Sequence, residues 1–340
     1  MSANSSRIYI EGKRVDYSNG NLTKQGGNTA SKLTFTLPGK SIQLRKYWGK
    51  EVTFFFNESD SIPMFRGYVI NAEISGNRSI SLRAVDVLGF LTGHHRPQLN
   101  FDNFTNVDGL TISGAFKKMI QLAKLNKIGI DFLKDTDPIK KIKFLRGEFH
   151  ILDSIISELN LIYNTNTKFP RQNIIKVVDD GTKGQVIFDL LKDVSTSNVV
   201  HNFDYTANII DFQVQNRKIP TIINVKGKYN GITFKHESAA VAFGEHTLSI
   251  NNPELMSKAE CQDFAQMVLH ANIQDKYEYN LTTFEGVYLE ENDIIHITDK
   301  DTEIEGNFRV VGKTLNFSPS GFSISLDINK QPPLLAQFLS

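Results

Sequence analysis

Histidine is the first residue type to examine for chemistry, because a neutral imidazole binds metals and transfers protons near pH 7. His94 and His95 are adjacent in the segment TGHHRP, and Asp102 would offer an acidic ligand for a metal ion. No second group of residues has metal-ligand spacing, so the pair predicts a solvated loop between domains. The other histidines are scattered along the chain: His150, His201, His236, His246, His270 and His296.

The single cysteine, Cys261, lies in a segment with helical spacing and has no histidine near it in the sequence. A catalytic thiol needs a base or a positive environment, so Cys261 predicts a small buried residue rather than a nucleophile. The sequence has no HExxH, GxSxG or GxxxxGK[ST] motif. It therefore predicts a protein that is not an enzyme and that holds neither a cofactor nor a metal.

Two charged segments have alternative interpretations. The segment DPIKKIKFLRGEFH concentrates Lys140, Lys141, Lys143 and Arg146. Such a run would line a DNA channel or meet an acidic partner, but a solvated strand edge is the default interpretation, since lysines discourage strand pairing. The acidic segment VVDDG at 177–181 lacks the repeated spacing of a calcium loop and predicts a turn.

The bulk composition limits the class of protein. The chain has 340 residues, with 38 basic and 37 acidic side chains and a net charge of +1. A protein whose whole surface binds nucleic acid would be far more basic. The polar N-terminus and the absence of a long apolar run indicate neither a signal peptide nor a membrane span. We expect a soluble protein made in a cytoplasm.

Apolar periodicity predicts a β-rich α+β fold, with two similar small β-barrels and an α/β insert between them. Segments such as KLTFTLPG and EVTFFFN alternate, whereas NPELMSKAECQDFAQMVLHANIQ and two segments of the insert have helical spacing. The predicted boundaries are 1–92 for the first barrel, 93–200 for the insert with two helices, 201–235 and 276–330 for the second barrel, 236–275 for an extended segment plus a helix inserted in that barrel, and 331–340 for a C-terminal docking tail. The apolar tail would equally fold back on its own core.

Two predicted hairpins resemble each other. FRGYVINAEISGNRSISLRAVD begins at Phe65, and FRVVGKTLNFSPSGFSISLDIN begins at Phe308. With one extra residue in the second turn, the identical pairs are Phe65/Phe308, Arg66/Arg309, Ser75/Ser318, Ser79/Ser323, Ile80/Ile324, Ser81/Ser325 and Leu82/Leu326. Alternation places Tyr68, Ile70, Ala72 and Ile74 on one face, and Lys313, opposite Ile70, breaks the pattern. Duplication and chance agreement explain this likeness about equally well.

Three segments resemble the central hub proteins of contractile phage tails, the family that includes the late-control hub proteins of Mu-like and P2-like phages. They are MFRGYVINAEISGNRSISLRAVDVLGFL, the helix–strand–helix that begins GLTISGAFKKMIQLAKLNKIGIDF, and GVYLEENDIIHI. The hub part of type VI secretion spike proteins and the N-terminal part of siphophage tail-associated proteins are relatives of that family. The resemblance implies two related barrels per chain and a homotrimer, whose six barrels mimic sixfold symmetry.

The same resemblance implies a set of partners and a location. A hub of this kind joins a sixfold tail tube to a threefold spike around an axial channel. The expected partners are the tail tube protein, a separate spike protein, other baseplate proteins, and DNA or a tape measure protein in passage. The expected location is the virion tail tip or baseplate, after assembly in the host cytoplasm.

The predicted contact residues lie in the two hairpins and the tail. They are Phe65, Arg66, Phe308, Arg309, Leu334, Leu335 and Phe338, although both hairpin phenylalanines fit core positions better.

Two other functions remain open. One is a tail-associated peptidoglycan-degrading enzyme, and the other is a β-rich module that binds host glycans. The second would expose aromatic residues on loops, yet the only tryptophan, Trp48, lies at a strand entrance.

Overall fold

The computed structural model describes residues 6–25, 30–39, 44–74, 79–92, 129–130, 173–190, 192, 194–216, 219–251, 255–274 and 277–329. Within them the strands are β1 (Arg7–Ile10), β2 (Lys13–Val15), β3 (Asn19–Gln25), β4 (Lys32–Leu37), β5 (Glu51–Phe55), β6 (Phe65–Ile74), β7 (Ile80–Asp86), β8 (Gly129–Ile130), β9 (Asn173–Asp179), β10 (Gly184–Leu190), β11 (Val199–Asp204), β12 (Ile209–Asn216), β13 (Ile222–Lys226), β14 (Gly231–Lys235), β15 (Thr247–Asn251), β16 (Tyr277–Thr283), β17 (Ile294–Asp299), β18 (Ile304–Ser318) and β19 (Gly321–Asn329). The α-helices are α1 (Val87–Thr92), α2 (Glu237–Phe243) and α3 (Lys258–Gln274), and Leu44–Lys46 forms a 3-10 turn.

The chain divides into two compact units. The first comprises residues Met1–Lys192, Thr282–Asp293 and Val311–Leu326, and the second comprises Asp193–Leu281, Ile294–Val310 and Asp327–Ser340. The chain passes from one unit to the other within β16, β18 and β19. The predicted β-rich α+β class is confirmed.

The first unit is built on antiparallel strands in the order β3-β4-β7-β6-β5-β1-β2, and the C-terminal part of β18 pairs with β3. Alternating residues fill its core, as in β4, where Leu33, Phe35 and Leu37 are buried. The rings of Phe54 and Phe317 stack in that core with centroids 4.4 Å apart. A separate three-stranded sheet, β8-β10-β9, belongs to the same unit.

The second unit contains a second set of barrel strands and a small α/β layer. In it β17 pairs in parallel with β11 and antiparallel with β18, while β12 pairs with β16. The strands β13 and β14, which the sequence analysis assigned to the second barrel, pair with β15 in a sheet of their own, against which α3 packs. A capping box starts α3: Ser257 Oγ accepts from the backbone of Glu260, whose carboxylate accepts from the backbone of Ser257. The third predicted helix is therefore confirmed, beginning at Lys258.

The strand order repeats between the two halves of the chain. The first set follows the order β1-β5-β6-β7-β4-β3, and the second follows β11-β17-β18-β19-β16-β12. The two similar hairpins, β6–β7 and β18–β19, therefore occupy the same place in each set. The two sets differ at one end, since β1 runs antiparallel to β5 whereas β11 runs parallel to β17.

The hairpins also share a change of face that the sequence analysis missed. A register shift between Val69 and Asn71 inserts one residue into β6. Because Val69 pairs with Ala84 and Ala72 with Leu82, Ala72 and Ile74 lie on the face of Val69, whereas Tyr68 lies on the opposite face. The prediction that Tyr68 and Ile70 share a face with Ala72 and Ile74 was therefore wrong, because one inserted residue reverses every later side chain. In β18 the buried positions change from Phe308, Val310 and Gly312 to Lys313, Leu315 and Phe317, which is the aligned place.

Several predictions lie outside the described residues. They include both predicted helices of the insert, the basic segment around Lys140, the pair His94 and His95, and the C-terminal tail. Among the helices that the structure describes, none is long and apolar enough to cross a membrane.

Candidate functional site

Arg66, a predicted contact residue on β6, is the centre of an acidic network in the first unit. Its Nη1 donates to Glu51 Oε1 at 2.9 Å, and its Nε donates to Asp179 Oδ2 at 2.6 Å. Its Nη2 donates to the carbonyl oxygen of Gly181 at 3.2 Å. Since Glu51 lies on β5 and Asp179 ends β9, this one guanidinium joins the β5–β6 pair to the β9–β10 hairpin.

Arg66 is largely buried, and its acidic neighbours stabilise its charge there. Burial alone would lower the pKa of Arg66, but the bonds to Asp179 and Glu51 outweigh that effect and hold the pKa above its ordinary value. The Asp179 carboxylate also accepts from the backbone of Gly181 at 2.7 Å, which fixes the turn that follows β9. Removal of Arg66 or of Asp179 would leave the other as a buried charge without its partner, which is costly. The ion pair therefore favours the observed position of the β9–β10 turn against β6.

A second charged cluster surrounds Lys313, which lies on β18 and is 2% exposed. Its Nζ donates to the carbonyl oxygens of Val287, at 2.8 Å, and of Leu289. It also lies 3.8 Å from Glu290 Oε1. Lys24 on β3 donates to both carboxylate oxygens of Glu290 at 2.9 Å. Two lysines from adjacent strands thus hold the segment from Val287 to Glu290.

The pKa values of Lys313 and Glu290 reflect two opposing effects, the loss of solvation on burial and the attraction between opposite charges. Burial lowers the pKa of Lys313 to about 8, and attraction to Glu290 offsets only part of that shift. For Glu290, burial acts to raise the pKa, but Lys24 and Lys313 outweigh it and hold the pKa below its ordinary value. Glu290 is therefore ionised at neutral pH and carries the charge that both lysines require.

Asp86 is a third acid in this region; it is buried and caps α1. Its carboxylate accepts from the backbone N–H of Gly89 at 2.9 Å and of Ser31 at 2.8 Å. Burial raises its pKa, and these two hydrogen bonds act in the opposite direction. Asp86 thereby satisfies a helix N-terminus and the strand entrance at Ser31 together.

These groups line a cleft of about 420 Å³ in the first unit. Its charged lining consists of Lys24, Arg66, Asp86, Asp179 and Glu290, together with Asp60. Its lining also includes three exposed apolar or aromatic side chains, Ile62, Val178 and Tyr288. The Tyr288 hydroxyl donates to Asp60 Oδ1 at 3.0 Å and accepts from the amide of Asn57, so the rim loops are tied together.

The charged groups that line the cleft are paired within the unit. Lys24, Arg66, Asp179 and Glu290 each face an opposite charge, and the buried Asp86 is occupied by backbone donors. Across the parts of the chain that the structure describes, no three histidine, cysteine, aspartate or glutamate side chains are grouped to hold a metal ion. These ion pairs and hydrogen bonds hold the segments that border the cleft in place.

The predicted contact residues fall in different environments. Phe65 is 3% exposed and Phe308 is 0% exposed, so both are core residues, and Arg309 is 2% exposed. Arg66 lines the cleft, and the buried Phe65 also borders it. A role for any of them in contacts between chains stays a prediction. The remaining three lie outside the described residues: Leu334, Leu335 and Phe338.

The sequence analysis missed Lys313, Glu290 and Lys24 as a group. One signal was present, since Lys313 interrupts the apolar face of the second hairpin. A lysine at a strand position that alternation assigns to the core requires a buried acceptor. The carbonyl groups that accept from Lys313 belong to Leu289 and Val287, 24 and 26 residues away. Lys24, which shares Glu290 with Lys313, is 289 residues away, and periodicity cannot connect such positions. Cys261 is buried, as a structural thiol should be.

The comparisons with known proteins identify the fold. No sequence-family model and no curated protein sequence matches the chain. Among solved structures, a tail protein of Neisseria meningitidis MC58 is 15% identical, with a TM-score of 0.70 over 98% of each chain. A 43 kDa tail protein of prophage MuSo2 from Shewanella oneidensis is 12% identical, with a TM-score of 0.67 over 95% of this chain and 97% of the other.

A component of the type VI secretion system of Escherichia coli is also similar in structure. It is 10% identical, with a TM-score of 0.60 over 96% of this chain and 80% of the other. The chain therefore has the fold of phage tail proteins and of a type VI secretion component. The fold that the resemblance of the three segments predicted is confirmed.

Proposed function

We propose that this chain is a structural protein of a phage tail baseplate, the homotrimeric hub that joins a sixfold tail tube to a threefold spike. Three copies would surround an axial channel. Each copy would contribute two similar sets of barrel strands, so the trimer would present six similar surfaces to the tube. The proposal assigns no enzymatic activity to the chain.

The repeated strand order is the observation that carries this proposal. A ring with one barrel per copy would offer three equivalent surfaces, whereas a ring with two related barrels offers six. The order β1-β5-β6-β7-β4-β3 recurs as β11-β17-β18-β19-β16-β12, and the aligned hairpins change face at the same position. Duplication therefore explains the sequence likeness better than chance agreement does.

The fold similarity supports the same function from a second direction. The solved structures that cover nearly all of this chain include tail proteins from two bacterial sources. A structure of a PdpA–VgrG complex from Francisella also aligns, at 11% identity and a TM-score of 0.53. The partners that follow from the proposal are the tail tube protein, a separate spike protein and other baseplate proteins, with DNA or a tape measure protein in passage. The location is the virion tail tip or baseplate.

Size-exclusion chromatography with light scattering tests the assembly. We expect a particle of three times the chain mass of 38.4 kDa, and class averages in electron microscopy should show a ring with six peripheral densities. A strictly monomeric or dimeric particle at high concentration would contradict the proposal. Release of soluble fragments from purified peptidoglycan would favour the enzymatic alternative instead.

A further inference from the structure

The pairing of β18 with β3 has no counterpart among the strand pairs that the structure describes. In the repeated strand orders, β18 of the second set corresponds to β6 of the first, and β12 corresponds to β3. Residues 312–317 of β18 pair antiparallel with residues 20–25 of β3. The repeat therefore calls for a pairing between β6 and β12. Within the described residues β12 instead ends the strand order, with β16 as its one neighbour.

The part of β6 that corresponds to the β3-paired part of β18 is the segment 69–74. One side of this segment pairs with β7. On the other side β5 pairs with residues 65–68, so in the described part of the chain no strand lies beside residues 71–74 there. The 3-10 turn Leu44–Lys46 lies near β6. The corresponding connection of the second set contacts Lys313 on β18, and β3 pairs with that segment all the same. A strand edge of this kind is open to another strand.

The burial of apolar side chains differs between the paired and the unpaired edges. On the paired edges, Leu315 and Phe317 of β18 are 0% and 3% exposed, and Leu22 of β3 is 0% exposed. On the unpaired edges, Ile74 of β6 is 42% exposed and Ile210 of β12 is 47% exposed. Apolar surface is thus open at both places where the repeat lacks its partner, and a further strand would cover it.

Contacts with β16 give the register of β12. Phe212 stacks on Tyr279 of β16, with ring centroids 6.2 Å apart. In the first set Leu22 pairs with Leu33 of β4. Tyr279 corresponds to Leu33, because the two strands share a burial pattern and the residues that follow these two lie beside matching positions of β19 and β7. Phe212 therefore takes the place on β12 that Leu22 has on β3.

We infer that β12 of one copy pairs antiparallel with the segment 69–74 of β6 in the next copy, in the register that joins β3 to β18. This inference rests on the proposed trimer and names the strands that would connect its copies. Phe212 would lie opposite Ala72, and Ile210 opposite Ile74. Because the contact joins two different surfaces, it is head-to-tail, the kind that closes a ring of three. Three β3–β18 junctions within copies and three β12–β6 junctions between copies would then give six junctions of one kind.

The same register brings two acids together and so gives the inference a specific test. Glu73 of one copy would lie opposite Asp211 of the next, where β18 and β3 pair two asparagines. Each acid accepts a hydrogen bond from an amide of its own strand, Glu73 from Asn71 at 2.6 Å and Asp211 from Gln213 at 2.7 Å. Like charges on opposite positions of paired strands destabilise the pair. The apolar rows on the other face must therefore outweigh this repulsion.

Disulfide formation tests the register. Asn71 and Gln213 correspond to Thr314 and Thr23, which lie opposite each other in β18 and β3. Copies with Asn71→Cys are co-expressed with copies that carry Gln213→Cys, and we expect an inter-copy disulfide that forms only in the mixture. Thr23→Cys with Thr314→Cys in one chain is the matched positive control, and Asn71→Cys with Asp263→Cys, on α3, is the negative control. The one native cysteine is fully buried and does not compete.

The strength of assembly tests the burial of the two edges. We expect Ile74→Asp and Ile210→Asp each to raise the protein concentration at half-dissociation of the trimer by about 10-fold or more. Val241→Asp, at an exposed apolar position on α2, is the matched control and should leave assembly unchanged. Asp211→Asn removes one of the two facing acids and should lower the half-dissociation concentration by about threefold at low salt. Circular dichroism checks that each variant is folded.

The outcomes separate this inference from the function on which it rests. A trimer that forms no disulfide between Asn71→Cys and Gln213→Cys while the positive control does, or that tolerates both aspartate substitutions, overturns the pairing and leaves the hub intact. A trimer that Asp211→Asn weakens overturns the register. A monomeric wild-type protein overturns both the pairing and the hub. The specific disulfide, together with weakening by both aspartate variants, supports the pairing.

Discussion

The Lys313 ammonium lies 3.8 Å from the Glu290 carboxylate, and the backbone carbonyls of Val287 and Leu289 take its hydrogen bonds. Lys313, which breaks the apolar face of the second hairpin, is thus a buried hydrogen-bond donor that fixes the segment from Val287 to Glu290. Tyr288 and Glu290 of that segment line the cleft. The buried Lys313 therefore helps to position two residues of the cleft wall.

Replacement of Lys313 by methionine removes the donor and keeps much of the side-chain volume. We expect the free energy of unfolding to fall by about 1–3 kcal/mol at pH 7, because two buried carbonyl oxygens lose their partner. Urea denaturation followed by circular dichroism measures the loss. Lys32→Met, at an exposed position on β4, is the matched control and should change stability by less than about 0.5 kcal/mol. Equal effects from the two variants would contradict the structural role of Lys313.

The lowered pKa of Lys313 predicts a dependence of stability on pH. Its folded-state pKa is about 8, below the ordinary value of 10.5. Between these values the unfolded chain binds more protons than the folded chain, so this group makes stability rise with pH, by about 3 kcal/mol across the range. The stability difference between the wild-type protein and Lys313→Met should therefore widen from pH 7 to pH 10. A constant difference over that range would show that Lys313 has an ordinary pKa.

Alternation alone predicted most barrel strands, because each has a solvated face and a buried face. In β4 the observed burial follows the sequence residue by residue. The same rule failed within β6, since a register shift at Ile70 has no signature in the local pattern. A single inserted residue reverses the faces beyond it, and only the pairing with β7 reveals where that happens.

The candidate site was much less predictable than the strands. Arg66 appeared among the predicted contact residues because it recurs as Arg309, yet its acidic partner Asp179 is 113 residues away in sequence. Long-range ion pairs are set by how strands and loops pack, and neither composition nor periodicity carries that information. The repeated Phe–Arg pair lies at the same place in the two repeated strand orders, while its two arginines occupy different surroundings in the two units.

Arg66 should stabilise the first unit through its buried pair with Asp179. We expect Arg66→Met to lower the free energy of unfolding by about 3 kcal/mol, because Asp179 would then remain buried without its cation. Chemical denaturation measures this loss, and Arg83→Met, at an exposed position on β7, should be nearly neutral. The double variant Arg66→Met with Asp179→Asn should recover part of the loss. An additive effect of the two substitutions would show that the pair has no coupling energy.

Gly20 should be required because the aromatic core leaves no space for a side chain at this position, and not because of its backbone conformation. A methyl group at Gly20 would overlap the ring of Phe317, which stacks on Phe54. We therefore expect Gly20→Ala to cost about 1–3 kcal/mol through overpacking, seen as a lower midpoint of thermal unfolding. Gly321→Ala is the matched control, since a methyl group there meets no atom within 4 Å. If Gly20→Ala were as stable as Gly321→Ala, the ring of Phe317 would have room to move, and the core would not fix the hairpin as tightly as the stacking indicates.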